Sequence, residues 1–310
     1  MGELPALSNA GTVGEKKGEA PQAPPPASRK ALVDWLGVLP FFLFATMFLF
    51  IPSFSIFIRS FEKLGGGFTF DNIIALFTKS DIVNAYKTSL TISGVTALLG
   101  GVFGFLMAYA IVMGGLPSRI REFTLSFSGV ASNFAGVPLA FAFIATMGNA
   151  GLITRNIEIL LNVDLRQAGF SIYNAFGLSI VYMYFQFPLM ILIMAPALAG
   201  LRREWREACE NLGGSAGTYW RRIAFPILMP TLLGTMVLLF GNAFGAYATA
   251  YAFSGSFINL VSILVGAQIQ GDVLYNPGLG NALALGMMAI MATAMVIYLY
   301  LQRIASRWVR

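Results

Sequence analysis

Six stretches of this chain run for more than 20 residues each with almost no charge, at about 34–58, 88–113, 124–148, 172–200, 228–253 and 279–302. Roughly 20 apolar residues in a helix cross the ~30 Å hydrocarbon core of a bilayer, so each stretch is long enough to span it. A composition of 57% hydrophobic and 11% charged residues agrees, being too apolar for an ordinary soluble domain. A membrane β-barrel would need alternating segments of about ten residues, whereas these runs are continuous and rich in Leu, Ala, Met and Phe. The reading is an all-α integral membrane protein, a bundle of six transmembrane helices.

Charge gives the expected orientation. With a cytoplasmic N-terminus, 14 of the 20 Lys and Arg residues fall on the inner side, including Lys16, Lys17, Arg29, Lys30, Arg202, Arg203, Arg206, Arg221, Arg222, Arg303, Arg307 and Arg310. The positive-inside rule then places both termini in the cytoplasm. The net charge of +6 is explained by this bias, and no nucleic-acid partner is implied. Histidine is absent and Cys209 is the single cysteine, which excludes a His-built metal site, a His general base and an internal disulfide.

Residues 1–30, with Gln22-Ala23-Pro24-Pro25-Pro26, have a composition that buries no core, and a disordered cytoplasmic tail is expected there. Residues 31–310 form the membrane domain. Between the first two spans, Phe68 to Phe77 carries apolar residues at helical spacing behind a Thr69 or Asp71 cap, a short surface helix. Loop 150–171, with Arg155, Glu158, Asp164 and Arg166, reads as a second amphipathic piece. Loop 254–278 reads as interrupted by turns.

The segment 201–226 differs from everything around it. Trp205, Ala208, Cys209 and Leu212 fall at i, i+3, i+4 and i+7, one helical face, while Arg and Glu alternate on the others. Gly213 and Gly214 stop that helix, Ser215 caps a second, and Pro226 and Pro230 fall where the second joins the fifth span. An interfacial loop with snorkelling aromatics would share this composition.

The spacing Glu207-Ala208-Cys209, three residues, Gly213, nine residues, Ile223-Ala224-Phe225-Pro226 resembles the EAA loop of ABC-importer permeases, with Cys209 in place of the second Ala and Phe225 in place of Leu. Phe68 to Phe77 and Ala108-Tyr109-Ala110-Ile111 resemble further phrases of that family. The resemblance implies a type I ABC importer permease fold. It also implies that Trp205, Glu207, Ala208, Cys209, Leu212, Gly213, Ile223 and Pro226 couple the bundle to an ATPase. Glu207 would supply a charged contact or internal brace, Ala208 close approach, and Gly213 the turn. The implied partners are two ABC ATPase subunits, a second permease of different sequence, an extracytoplasmic solute-binding protein and the lipid bilayer of a bacterial inner membrane.

No Gly-x-x-x-x-Gly-Lys-Ser/Thr sequence is present, and Gly65-Gly66-Gly67 lacks the lysine, so the chain is read as a transport subunit and not an enzyme. No cofactor is expected on it; ATP and Mg would be used by the partner ATPases. Polar residues within the spans, Asn133, Tyr182, Tyr184, Gln186, Asn242 and Tyr247, are candidates for a substrate path, with Tyr182, Gln186, Asn242 and Tyr247 foremost; interhelical hydrogen bonds are the alternative use. The phrases Gly241 to Ala252 and Asn276 to Ala284 resemble the spermidine/putrescine permeases, which implies import of a polyamine-like solute. The competing reading is a self-sufficient secondary transporter or channel.

Overall fold

A computed structural model describes residues 30–162, 171–255, 257–271 and 275–306. Residues 1–29 of the expected tail, Asp164 and Arg166 of the second loop, and Arg307 and Arg310 lie outside the described residues, and Lys30 opens the first helix rather than closing the tail. Among those residues the chain is helical throughout, with one isolated bridge between Glu62 and Phe68 and no strand. Six helical stretches are long and apolar enough to cross a membrane: Gly37–Arg59, Ser80–Met113, Gly136–Leu160, Ala175–Ala199, Ala216–Phe244 and Pro277–Ile304. The protein is a multi-pass membrane protein.

The chain divides into two compact units, Met1–Ser53 and Phe54–Arg310. The first contains α1 (Lys30–Ala45) and a widened π turn at Thr46–Phe50. Pro52 follows directly, and a proline ring clashes with the carbonyl four residues back, here Phe48 inside the widened turn. Ser53 donates its hydroxyl to the Leu49 carbonyl at 2.7 Å.

The helix then continues as α2 (Ile51–Arg59), and the second unit holds the remaining elements: α3 (Asp71–Thr78), α4 (Ser80–Met113), α5 (Ser118–Asn133), α6 (Gly136–Met147), α7 (Leu152–Leu161), α8 (Ala175–Ala199), α9 (Arg203–Asn211), α10 (Ala216–Tyr219), α11 (Phe225–Phe244), α12 (Tyr247–Ser254), α13 (Val261–Gln270) and α14 (Pro277–Ser306). Its centre is the α4–α8 pair. Gly100 and Gly104 present bare backbone to α8, and a Cβ on Gly104 would stand 2.6 Å from Met190 Cβ. Small residues at such spacing let membrane helices approach closely where no hydrophobic effect drives them together. Gly101 does the same against Met236 of α11. Met190, Met194 and Leu198 are fully buried beside this contact.

Several expected boundaries move. The second span begins at Ser80 rather than 88, because its first three turns pack on later chain: Asn259 donates to the Asp81 carbonyl at 2.8 Å, and the Val261 N–H to Ser89 Oγ at 3.0 Å. The third expected span, 124–148, is two helices. Gly136 takes φ +74°, outside the helical region, and its N–H is satisfied by Thr249 Oγ1 at 2.8 Å instead of by its own helix. The fifth, 228–253, breaks at Gly245–Ala246, and α12 turns away to pack on α6. Loop 254–278 contains α13, whose Val261 and Ile263 are buried; at ten residues it is too short to read as a span. In the first loop, Thr69 Oγ1 accepts the Asp71 N–H at 3.1 Å, and Asp71 opens the helix.

Candidate coupling elbow and bundle cavity

The segment 203–244 forms a helix, a glycine turn and a second helix that runs without a break into the fifth span. Gly213 adopts φ +76°. The Gly214 N–H reaches back to the Cys209 carbonyl at 2.8 Å and the Gly213 N–H to Glu210 at 2.9 Å, the paired bonds of a Schellman stop. Ser215 then accepts the Thr218 N–H at 3.3 Å as an N-cap. A second π turn, Trp220–Ala224, precedes Pro226, with Arg222 four residues ahead of the ring inside it, as in the first unit. The proline therefore widens the helix without ending it, so α10 and α11 form one continuous helical rod.

Cys209, Tyr219 and Ala224 are buried together and lock α9 onto this rod, with Trp205, Trp220 and Ile223 partly buried around them. Gly214 lies so close that a Cβ there would meet Cys209 Sγ at 2.6 Å. Trp205, Ala208, Cys209, Leu212 and Ile223 line one groove of about 580 Å³. Leu212 is 89% exposed, and Arg222, which the sequence marked only by its charge, borders the same space. Glu207 is on another face, paired with Arg203 at 3.0 Å as an exposed i,i+4 bridge. Arg206 and Glu210 repeat the arrangement at 2.9 Å, and this bond holds the Arg206 guanidinium above its ordinary pKa. Pro226 does not line the groove; Ile227 does.

The candidates within the spans separate into two kinds. Asn133 and Asn242 border a cavity of about 1160 Å³ between α5, α8, α11 and α14. Thr231, Thr235, Leu238 and Asn242 line it from α11 at steps of four, three and four, a single helix face, and Tyr298 lines it from α14. That periodicity was the available signal for Thr231. Asn242 is exposed. Tyr182, Gln186 and Tyr247 are not at this cavity. Tyr182 is 2% exposed and donates to the Ala246 carbonyl at 3.3 Å, across the break that ends α11. Gln186 is fully buried between α8 and α4, its amide donating to Thr96 Oγ1 at 3.1 Å. Its Oε1 has no hydrogen-bond partner and lies against Gly100. Tyr247 stacks on Tyr251 and packs against Gly266. Tyr184 meets Phe134 and Phe143 edge to face. Among the described residues, no three His, Cys, Asp or Glu side chains are grouped to hold a metal ion.

The fold is shared with ABC transporters of known structure. A bacterial ABC transporter involved in the import of the acidic polysaccharide alginate shares the fold with a TM-score of 0.67, over 90% of this chain and 96% of that one, at 17% identity. The inward-facing MetNI methionine ABC transporter matches 72% of this chain and 95% of its own at a TM-score of 0.50 and 13% identity. No family model matches. Among curated proteins, a probable sulfate transport system permease protein of Nephroselmis olivacea is 25% identical over 233 residues, 74% of this chain and 75% of its own. The sulfate transport system permease proteins of Salmonella typhimurium and Escherichia coli are each 25% identical, over 62% and 63% of this chain and 68% of their own.

These relatives correct the expected kinship with spermidine/putrescine permeases. The phrases that suggested it sit at helix ends. Gly245 and Ala246 make the break after α11, and Asn276 Oδ1 accepts the Leu279 N–H at 3.2 Å to cap α14. Residues such as Gly245, Ala246 and Asn276, which serve a helix terminus, carry little information about the solute.

Proposed function

We propose that the chain is the permease subunit of a bacterial inner-membrane ABC importer for sulfate or a similar tetrahedral oxyanion. The observation that carries this reading is similarity to sulfate permeases across most of the chain, together with the packed elbow at 203–224. In this reading both termini are cytoplasmic. The groove face of α9, with Trp205, Ala208, Cys209 and Leu212, docks on one of two ATPase subunits, which bind ATP and Mg. Glu207 braces the helix through Arg203, and Gly213 makes the turn. Because α10 and α11 form one rod, closure of the ATPases tilts the fifth span and the cavity wall it carries. A second permease completes the path, and a solute-binding protein delivers cargo from outside. Asn133 and Asn242 face that cargo; their amides offer neutral donors to an anion in a cavity whose lining carries no formal charge.

The test is radiolabelled sulfate uptake in a strain lacking its own sulfate permeases, supplied with this chain, its companion permease, the ATPase and the binding protein. Uptake that needs ATP and is inhibited by molybdate or thiosulfate supports the reading. Assembly of the complex with no sulfate uptake would overturn the solute, and failure to co-purify with any ATPase would overturn the class.

A further inference from the structure

Helix α9 borders a second cavity, distinct from its groove, of about 550 Å³. One wall is charged: Arg202, Arg203 and Arg206, with Glu207 and Glu210 among them. The other is aromatic and apolar: Met113 at the C-terminal end of α4, with Leu201, Tyr109, Tyr219 and Trp220. At 100° per residue, the arginine side of α9 lies roughly opposite the side that carries Ala208 and Leu212. The two ion pairs each engage a guanidinium through Nε, leaving the other N–H groups of Arg203 and Arg206 free of those bonds. Arg202 lies 5.9 Å from the Trp205 ring, and among the described residues no carboxylate bridges it. Three guanidinium groups thus face two carboxylates, and the wall keeps an excess positive charge.

The location adds a second constraint. The second candidate span ends at Met113 and the fourth at Ala199, so the cavity lies at the ends of two helices long and apolar enough to cross a membrane. A free anion would use the arginines and leave the apolar wall uncovered. A phosphate joined to a glycerol backbone and acyl chains would use both walls, as basic pockets between membrane helices do.

We propose that this cavity binds one anionic phospholipid, its phosphate on Arg202, Arg203 and Arg206 and its glycerol and first acyl carbons against Met113, Leu201 and Trp220. The bound lipid ties α9 to the end of α4 and so fixes the elbow relative to the bundle. This inference requires only that the chain lies in a membrane, and it stands apart from the proposed solute and ATPase.

The experiment is native mass spectrometry of the full chain purified in detergent and offered equal amounts of phosphatidylglycerol and phosphatidylcholine. The wild type is expected to retain one phosphatidylglycerol in preference to phosphatidylcholine. The Arg202→Gln/Arg206→Gln double variant should lose that preference by roughly fivefold per arginine, about 25-fold in all. Arg119→Gln, which removes an exposed arginine from α5, controls for general charge and should leave the preference intact. A separate arm offers inorganic phosphate or sulfate alone and reads thermal stabilisation. Equal retention of the two lipids, or equal losses in the double variant and the Arg119→Gln control, overturns the proposal. Arginine-dependent stabilisation by the free anion that matches phosphatidylglycerol overturns the lipid assignment in favour of a soluble anion.

Discussion

Gly213 and Gln186 show how much one residue decides. Gly213 holds φ +76° at the turn that directs α9 back across α10, and a side chain there strains the backbone by about 1–2 kcal/mol. Gly213→Ala should insert into membranes normally yet open the elbow. The check is maleimide labelling of Cys209, which is buried in the native protein; the variant should react several-fold faster, and uptake should fall. Gln186 makes the opposite case. Its buried Oε1 lacks a partner, so an apolar side chain of similar shape gives up one hydrogen bond to Thr96 and also removes an unsatisfied group. Gln186→Met should therefore change stability by less than about 1 kcal/mol in a thermal melt, whereas Gln186→Glu, which puts a charge in the same place, should lower it by several.

At the level of helices, stability rests on close approach. Gly104 meets Met190 and the Phe187 carbonyl, the latter at 3.1 Å from where a Cβ would sit, so a large side chain must push α4 away from α8. Gly104→Leu should cost about 1–3 kcal/mol and lower the melting temperature by several degrees. Gly94 has open space for 4 Å around the position a Cβ would take, and it should accept leucine with little change. The helical type and number of the long apolar stretches were legible in the apolar runs, and the Gly213–Ser215 stop and cap were legible in residue type. Their interruptions were not. The break at Phe134–Gly136 exists because Thr249, more than 100 residues later, supplies the hydrogen bond that a straight helix would have supplied itself. A short helix such as α13 is hidden for a related reason, since ten apolar residues satisfy both a turn-rich loop and a packed helix until a neighbour is placed beside them.

Across the whole second unit, the helices sort their polar residues by what they face. Tyr182 and Gln186 fasten helices to one another, while Asn242 of the fifth span and Asn133 at the end of the shorter α5 border the cavity. An exposed amide within a bilayer-spanning helix costs free energy unless water, solute or another subunit covers it. On the proposed sulfate-import reading, Asn242→Leu should leave expression and complex assembly unchanged and reduce sulfate uptake about tenfold, measured as initial rate, whereas Tyr182→Phe should keep at least half of the wild-type rate.

The sequence by itself determined that the chain is an all-helical membrane protein with six stretches long and apolar enough to cross a bilayer, because hydrocarbon tolerates only backbone that satisfies its own hydrogen bonds and the apolar runs have the length to do so. It also determined the elbow, whose glycine, serine and prolines act within a few residues of themselves. The tertiary structure alone decided where the long helices break, which polar side chains face a cavity, and how α9 comes to border two spaces of different character. Those outcomes depend on groups far apart in the chain meeting at hydrogen-bond or van der Waals distance, and no local pattern records which partner will be there.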